Sequence, residues 1–171
     1  RGASVSALAE TIALQGRVLG HVLDIDLAPA VARLDGAAHV WLVGTGTSEH
    51  AACLGAAMLA TAGFDAHASS AAGFVADGRR LGPDDALVVI THTTETAFAR
   101  RVREDALAAG ARVLSITGEG KGWPEAIEAA PPERSETYTA SYLAALLVFA
   151  RLADALGSEE WDAKDLAALP D

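Results

Sequence analysis

Apolar and polar positions along the chain alternate between two periods. Residues 5–20 (VSALAETIALQGRVLG) set Leu8, Ile12, Leu14, Val18 and Leu19 roughly on one helical face, which predicts a helix ending at Gly20. A second short helix is expected over Leu27–Leu34. The period then changes. His39–Val43 (HVWLV) is a short apolar run met at once by Gly44-Thr45-Gly46, as for a buried strand and its turn. A helix follows to about Ala62, with Ser48 able to cap it, Glu49 in its first turn and Gly63 as its stop.

The same unit recurs. Strands are expected at Asp65–Ser69, Ala86–Ile90 and Arg112–Ile116, with a weaker one near Ile127–Ala130. Glu95–Ala109 reads as a helix closed by Gly110, and Ser141–Leu156 as an apolar closing helix. The acidic stretch Gly157–Asp171 reads as a short terminal helix or a linker. Strands alternating with helices of this length predict an α/β fold, a doubly wound parallel five-stranded sheet between two helical layers. The expected order is the flavodoxin-like 2-1-3-4-5. Residues 1–36 would form N-terminal helices, 37–157 the α/β domain and 158–171 the acidic end.

Composition narrows the class. The chain has 171 residues, 51% hydrophobic and 21% charged, which suits one folded domain and excludes disorder. No apolar run reaches the roughly 18 residues that a membrane span requires. The formal charge of −10, with no basic stripe, argues against nucleic acid or an anionic membrane as partner. Cys53 is the single cysteine, so neither an internal disulfide nor a structural zinc site is expected; this favours a reducing compartment or indifference to redox, and a cytoplasmic setting is expected. No metal or cofactor is expected. The first residue is Arg1 rather than Met, so an upstream stretch is expected. The opening segment, with Glu10 inside it, is unlike a signal peptide.

Chemistry concentrates where the sheet would reverse its winding. In the order 2-1-3-4-5 the loops after strands one and three adjoin, and these are Gly44–Ser48 (GTGTS) and Thr91–Thr96 (THTTET). Hydroxyls and backbone N–H groups at helix starts suit a phosphate without any Lys or Arg. Gly44-x-Gly46 lacks the third glycine of a dinucleotide fingerprint, and no Gly-x4-Gly-Lys-Ser/Thr occurs. A nucleotide-binding reading would need an acid after strand two, where Ser69-Ser70 stand. Ser48 could be only a helix cap, but four Thr in the six residues Thr91–Thr96 exceed what a cap requires.

Gly46-Thr47-Ser48 and Thr91-His92-Thr93-Thr94-Glu95-Thr96, each following a strand, resemble the sugar isomerase (SIS) domain family. In members such as the isomerase part of glucosamine-6-phosphate synthase, the two loops read Gly-Thr-Ser and Ser-Gln-Ser-Gly-Glu-Thr. Glu10-Thr11-Ile12 with Gln15 resembles the leader of a first SIS domain, and Glu136 with Thr139-Ala140-Ser141 resembles the later Glu-x-x-Val-Ala-Ser segment. The resemblance runs from about Leu8 to Leu156. It implies phosphosugar contacts at Gly46, Thr47, Ser48, Thr91, His92, Thr93, Thr94 and Thr96, with Thr139 and Ser141 on the sugar side. His92 stands where the relative has Gln and can add charge if protonated; Thr94 adds a Cβ where the relative has Gly.

The implied activities are an aldose–ketose phosphosugar isomerase or an amino-sugar-phosphate isomerase or deaminase, working through an enediol. The alternative is a non-catalytic sugar-phosphate-binding or sensing module. An isomerase needs a base, and Glu49, Glu95, His92 and, as a weak candidate, Glu136 are available. Glu49 and Glu95 also suit a structural role in first helical turns. His21, His39 and His67 would be packing or surface residues, Trp41 and Cys53 core residues, and His50 directed along its helix. The family's acid/base residues come from a second SIS domain, so this chain is expected to be the N-terminal half of a two-domain protein. The alternative is a single-domain member completed by neighbouring subunits, and a homodimer is expected.

Overall fold

A computed structural model describes residues 6–135 and 137–170. Helix α1 (Ala7–Asp24) opens on Ser6, whose hydroxyl accepts the Ala9 N–H, and α2 (Ala28–Leu34) follows with Pro29 in its first turn. Strand β1 (Val40–Gly44) leads into α3 (Thr47–Thr61), β2 (Ala66–Ser70) and α4 (Ala71–Ala76). Then come β3 (Ala86–Thr91), α5 (Ala97–Ala108), β4 (Arg112–Gly118), β5 (Ala126–Ala130), α6 (Thr139–Ala155) and α7 (Ala163–Ala167). The five strands form one parallel sheet in the order β2-β1-β3-β4-β5, as expected.

Period-two alternation splits the strands between two cores. On β3, Ala86, Val88 and Ile90 face the larger core, made with α1, α2, α3 and α6; Leu87 and Val89 face the smaller one beneath α4 and α5. All six β3 residues are buried, which is why this strand is the clearest apolar run in the chain. Phe149 and Leu152 of α6 are fully buried.

Several expectations are corrected. Helix α1 continues past Gly20 to Asp24, because Val22 is buried in the core and packing outweighs the cost of a helical glycine. Helix α4 is an addition to the expected elements: Ser70 caps it by accepting the Gly73 N–H, and Ala71 and Phe74 bury against the sheet. Ser48 does not cap α3. The helix starts at Thr47 with Gly46 as its N-cap, so Ser48 lies inside the first turn. Glu95 precedes the N-cap Thr96 of α5 and is exposed, whereas Glu49 does lie in the first turn of α3. Cys53 is exposed on α3 rather than in the core, and Trp41 is only half-buried, stacked on His67 with the Arg79 guanidinium over its ring.

Candidate functional site

The carboxyl ends of β1, β3 and β4 and the start of α6 enclose a cavity of about 120 Å³. Gly44 permits the first wall. A Cβ there would collide with the Ser48 backbone, so a glycine lets the first turn of α3 lie against the end of β1. Thr47 and Ser48 thereby line the cavity, together with Thr45. Among the described residues no side chain caps α3, and none caps α5. Two helix N-termini, the positive ends of their dipoles, are therefore left without an internal carboxylate or hydroxyl cap.

The loop from β3 to α5 supplies the second wall, with Thr91, His92, Thr93 and Thr96. Its threonines organise one another. The Thr91 hydroxyl accepts the Thr94 N–H at 3.2 Å, and the Thr93 hydroxyl accepts the Glu95 N–H at 3.3 Å. Each of these oxygens is used as an acceptor, so its own proton can be donated elsewhere. Thr94 sits at φ 62°, a left-handed conformation that a β-branched residue adopts only under strain. Its hydroxyl donates to the Thr93 carbonyl at 2.5 Å. The family's glycine at this place has a physical meaning, since glycine takes that φ without the cost.

His92 is held from both sides. Its carbonyl accepts the Gly118 N–H at 3.0 Å, and its Nε2 accepts the Glu133 N–H at 3.3 Å. Gly118 must lack a side chain, because a Cβ there would meet the imidazole Cε1 at 2.9 Å. With Nε2 an acceptor, the neutral ring carries its proton on Nδ1, an atom that is buried and has no partner among the described residues. Burial pushes the His92 pKa below its ordinary value; the Glu133 carboxylate opposes this and Lys121 reinforces it. Burial therefore favours the neutral ring, with Nε2 accepting and the proton on Nδ1.

Helix α6 closes the third side with Tyr138, Ser141 and Tyr142. Its N-cap Tyr138 is left-handed, at φ 49°, and stands beside the His92 ring with centroids 5.6 Å apart. Unlike α3 and α5, α6 has its amino end occupied: the Glu133 carboxylate accepts the Ala140 N–H at 3.2 Å and the Ser141 N–H at 2.7 Å. The floor is largely apolar, from Ile90, Ile116, Ala129 and Ala130, with Thr117 beside them.

Of the sequence-expected residues, the cavity brings together Thr47, Ser48, Thr91, His92, Thr93, Thr96 and Ser141. Gly46 and Thr94 shape the loops without lining it. Thr139 lies instead on a neighbouring groove with Gln15, Thr47, His50 and Tyr142, its hydroxyl buried and unpaired among the described residues. Glu136 lies outside the described residues. Glu49 and Glu95 do not reach the cavity, and no Asp or Glu lines it among the described residues. His39 and His67 cluster with Asp65 and Asp85 next to the amino ends of the strands, at the far side of the sheet. Sequence reasoning missed Thr45, Tyr138, Tyr142, Thr117 and the cap Glu133. For Thr117 a signal existed: the apolar run RVLSI continues one residue further into a hydroxyl at the carboxyl end of its strand. Among the described residues no helix is long and apolar enough to cross a membrane, and no group of His, Cys, Asp or Glu could hold a metal.

A doubly wound parallel sheet with an uncharged, hydroxyl-lined cavity at its winding reversal defines the class of ligand-binding α/β domains. Within that class the chain belongs to the SIS domain family, whose model matches residues 33–151. No curated protein matches the sequence. Solved structures share the fold at low identity. An E. coli CFT073 protein in complex with a phosphosugar is 18% identical with a TM-score of 0.73, covering 96% of this chain and 95% of that one. The tagatose-6-phosphate ketose/aldose isomerase from Escherichia coli is 18% identical with a TM-score of 0.78, covering 100% of this chain and 52% of that one. The Vibrio vulnificus NanR protein complexed with ManNAc-6P is 21% identical with a TM-score of 0.73, covering 93% and 64%. The chain thus matches nearly the whole length of one relative and about half of another.

Proposed function

We propose that this chain binds a sugar phosphate, of the hexose or amino-sugar class, in the cavity between α3, the β3–α5 loop and α6. One observation carries the reading. Two helices without side-chain caps begin at the same cavity, α5 after the Thr91 and Thr93 hydroxyls, which already accept and so can donate, and α3 with Thr47 and Ser48 lining the cavity from its first turn, while the third helix is already capped by Glu133. That arrangement supplies neutral donors for a phosphate dianion at two helix ends, beside an apolar floor and further hydroxyls for a polyol. Family membership and relatives bound to phosphosugars, ManNAc-6P among them, support it. Ser48, Thr91, Thr93 and Thr96 would take the phosphate, and Ser141 the sugar.

We propose further that the binding serves an aldose–ketose phosphosugar isomerase or an amino-sugar-phosphate isomerase or deaminase, in a cytoplasmic homodimer or as half of a two-domain protein. A specific observation favours the second reading, a binding or sensing module, for the chain by itself. No carboxylate lines the cavity among the described residues, and the Nε2 lone pair of His92, the ring's basic site, is already taken by the Glu133 N–H. A base would have to come from Glu136 or from another domain.

Thermal-shift and calorimetric titration with fructose 6-phosphate, glucosamine 6-phosphate, tagatose 6-phosphate and inorganic phosphate tests the binding. A raised melting temperature is expected with at least one sugar phosphate. Ser48→Ala and Thr93→Ala should each weaken that ligand by about 1–3 kcal/mol. No shift with any probe would overturn the reading. Isomer exchange followed by NMR separates the two roles: turnover supports the enzyme, binding without turnover the module.

A further inference from the structure

We infer that Thr117 is a specificity-determining contact at the floor of the cavity, its hydroxyl placed for a hydroxyl of the sugar rather than for the phosphate. The inference rests on the sugar-phosphate reading above. Seven polar or charged residues are buried in the described structure, and six of them have side-chain hydrogen bonds. Thr11 donates to the Ala7 carbonyl, Thr91 accepts from Thr94, Ser115 donates to Glu125, Glu125 pairs with Arg103, Ser135 bonds Thr137 and Ser158 bonds Thr61. Thr117, only 3% exposed, is the exception: its Oγ1 is buried with no partner among the described residues, and the residue lines the cavity.

An isosteric valine would fill the same space in a strand whose other buried positions include Val113, Leu114 and Ile116. The unpaired hydroxyl is a net cost to the folded chain unless something from outside pairs with it. Its position says what. Thr117 is the register partner of Thr91 across β3 and β4, so the two side chains share a face of the sheet, about 5 Å apart along the inter-strand direction. Thr91 belongs to the loop that meets the helix ends, whereas Thr117 lies one strand further from β1 and from the start of α3. The next group along a bound sugar phosphate is the carbon chain with its hydroxyls. The β4–β5 ladder shifts register between Thr117 and Gly118, so regular pairing is interrupted next to this side chain.

The test compares wild type, Thr117→Val and Thr117→Ser in calorimetric titrations with the same three sugar phosphates and inorganic phosphate, alongside unliganded melting. For any sugar phosphate that wild type binds, Thr117→Val should lose about tenfold in affinity, and Thr117→Ser should restore most of it. Inorganic phosphate should bind all three proteins within about twofold, because its seat is untouched. Unliganded Thr117→Val should melt at or above the wild-type temperature, since it removes an unpaired polar group. Equal affinity of wild type and Thr117→Val for the sugar phosphates would overturn the assignment while leaving the binding function intact. An equal loss for inorganic phosphate, or a melting point lowered by more than about 3 °C, would overturn it by showing a phosphate contact or an internal partner. If wild type binds none of the sugar phosphates, the functional reading falls and this assignment falls with it.

Discussion

His92 carries the residue-scale argument, because one ring records burial, tautomer and pocket geometry together. Its backbone is tied to Gly118 and its Nε2 to the Glu133 N–H, a donor 41 residues away in sequence. Folding buries the imidazole and lowers its pKa from the ordinary value of about 6.5. The unfolded chain therefore takes up this proton as pH falls through about 6.5, and the folded chain only at a lower pH. Stability held above that value is lost between the two. The melting temperature of wild type should fall as the pH drops below about 6.5, and that of His92→Gln should fall less over the same range. Parallel melting curves for the two proteins would refute this contribution. The hydroxyls of Ser48, Thr91 and Thr93 are legible in the sequence because each follows a strand-like apolar run at a fixed distance. The tautomer of His92 is not, since its partner is set by the arrangement of β3 and the loop before α6.

At the scale of elements, the start of α6 is the part most dependent on a side chain distant in sequence. Glu133 stands seven and eight residues before the Ala140 and Ser141 N–H groups that it accepts. A local capping box has a spacing of three, so no window of sequence would reveal this cap. Glu133→Ala should lower stability in urea unfolding by about 1–2 kcal/mol, and Glu133→Gln by less, since an amide keeps one acceptor oxygen but not the charge. Indifference to both substitutions would mean that α6 packing alone fixes its start. The periods of α3, α5 and α6 are legible, as are all five strands. Their limits move where burial overrides local signals: α1 runs through Gly20, and α4 forms on a segment of only six residues capped by Ser70.

For the molecule as a whole, the charge of −10 and an anionic ligand are reconciled by geometry. The acidic and basic side chains lie mostly outside the cavity, where no Lys or Arg is found among the described lining residues. Arg103, for example, is engaged in a paired contact with Glu125 at 2.5 and 2.8 Å and stacks on Trp123. A phosphate held by neutral donors in an acidic protein meets only long-range repulsion from the surface, which salt screens. Raising NaCl from about 50 to about 300 mM should therefore leave sugar-phosphate affinity unchanged or slightly improved by calorimetry, where a Lys- or Arg-held phosphate would weaken. Marked weakening with salt would place a cation in the site.

The sequence by itself determined the alternation of periods, hence a parallel sheet covered on both faces, and the two hydroxyl loops that its winding brings together. These are local properties: periodicity and turn chemistry act within a few residues. Only the tertiary structure decided that Thr117 reaches the floor unpaired, that Glu133 caps α6, that Tyr138 faces His92 and that Thr139 turns to the neighbouring groove. Those facts depend on which strand ends lie side by side and how far each side chain is buried, and neither is fixed until distant segments pack against one another.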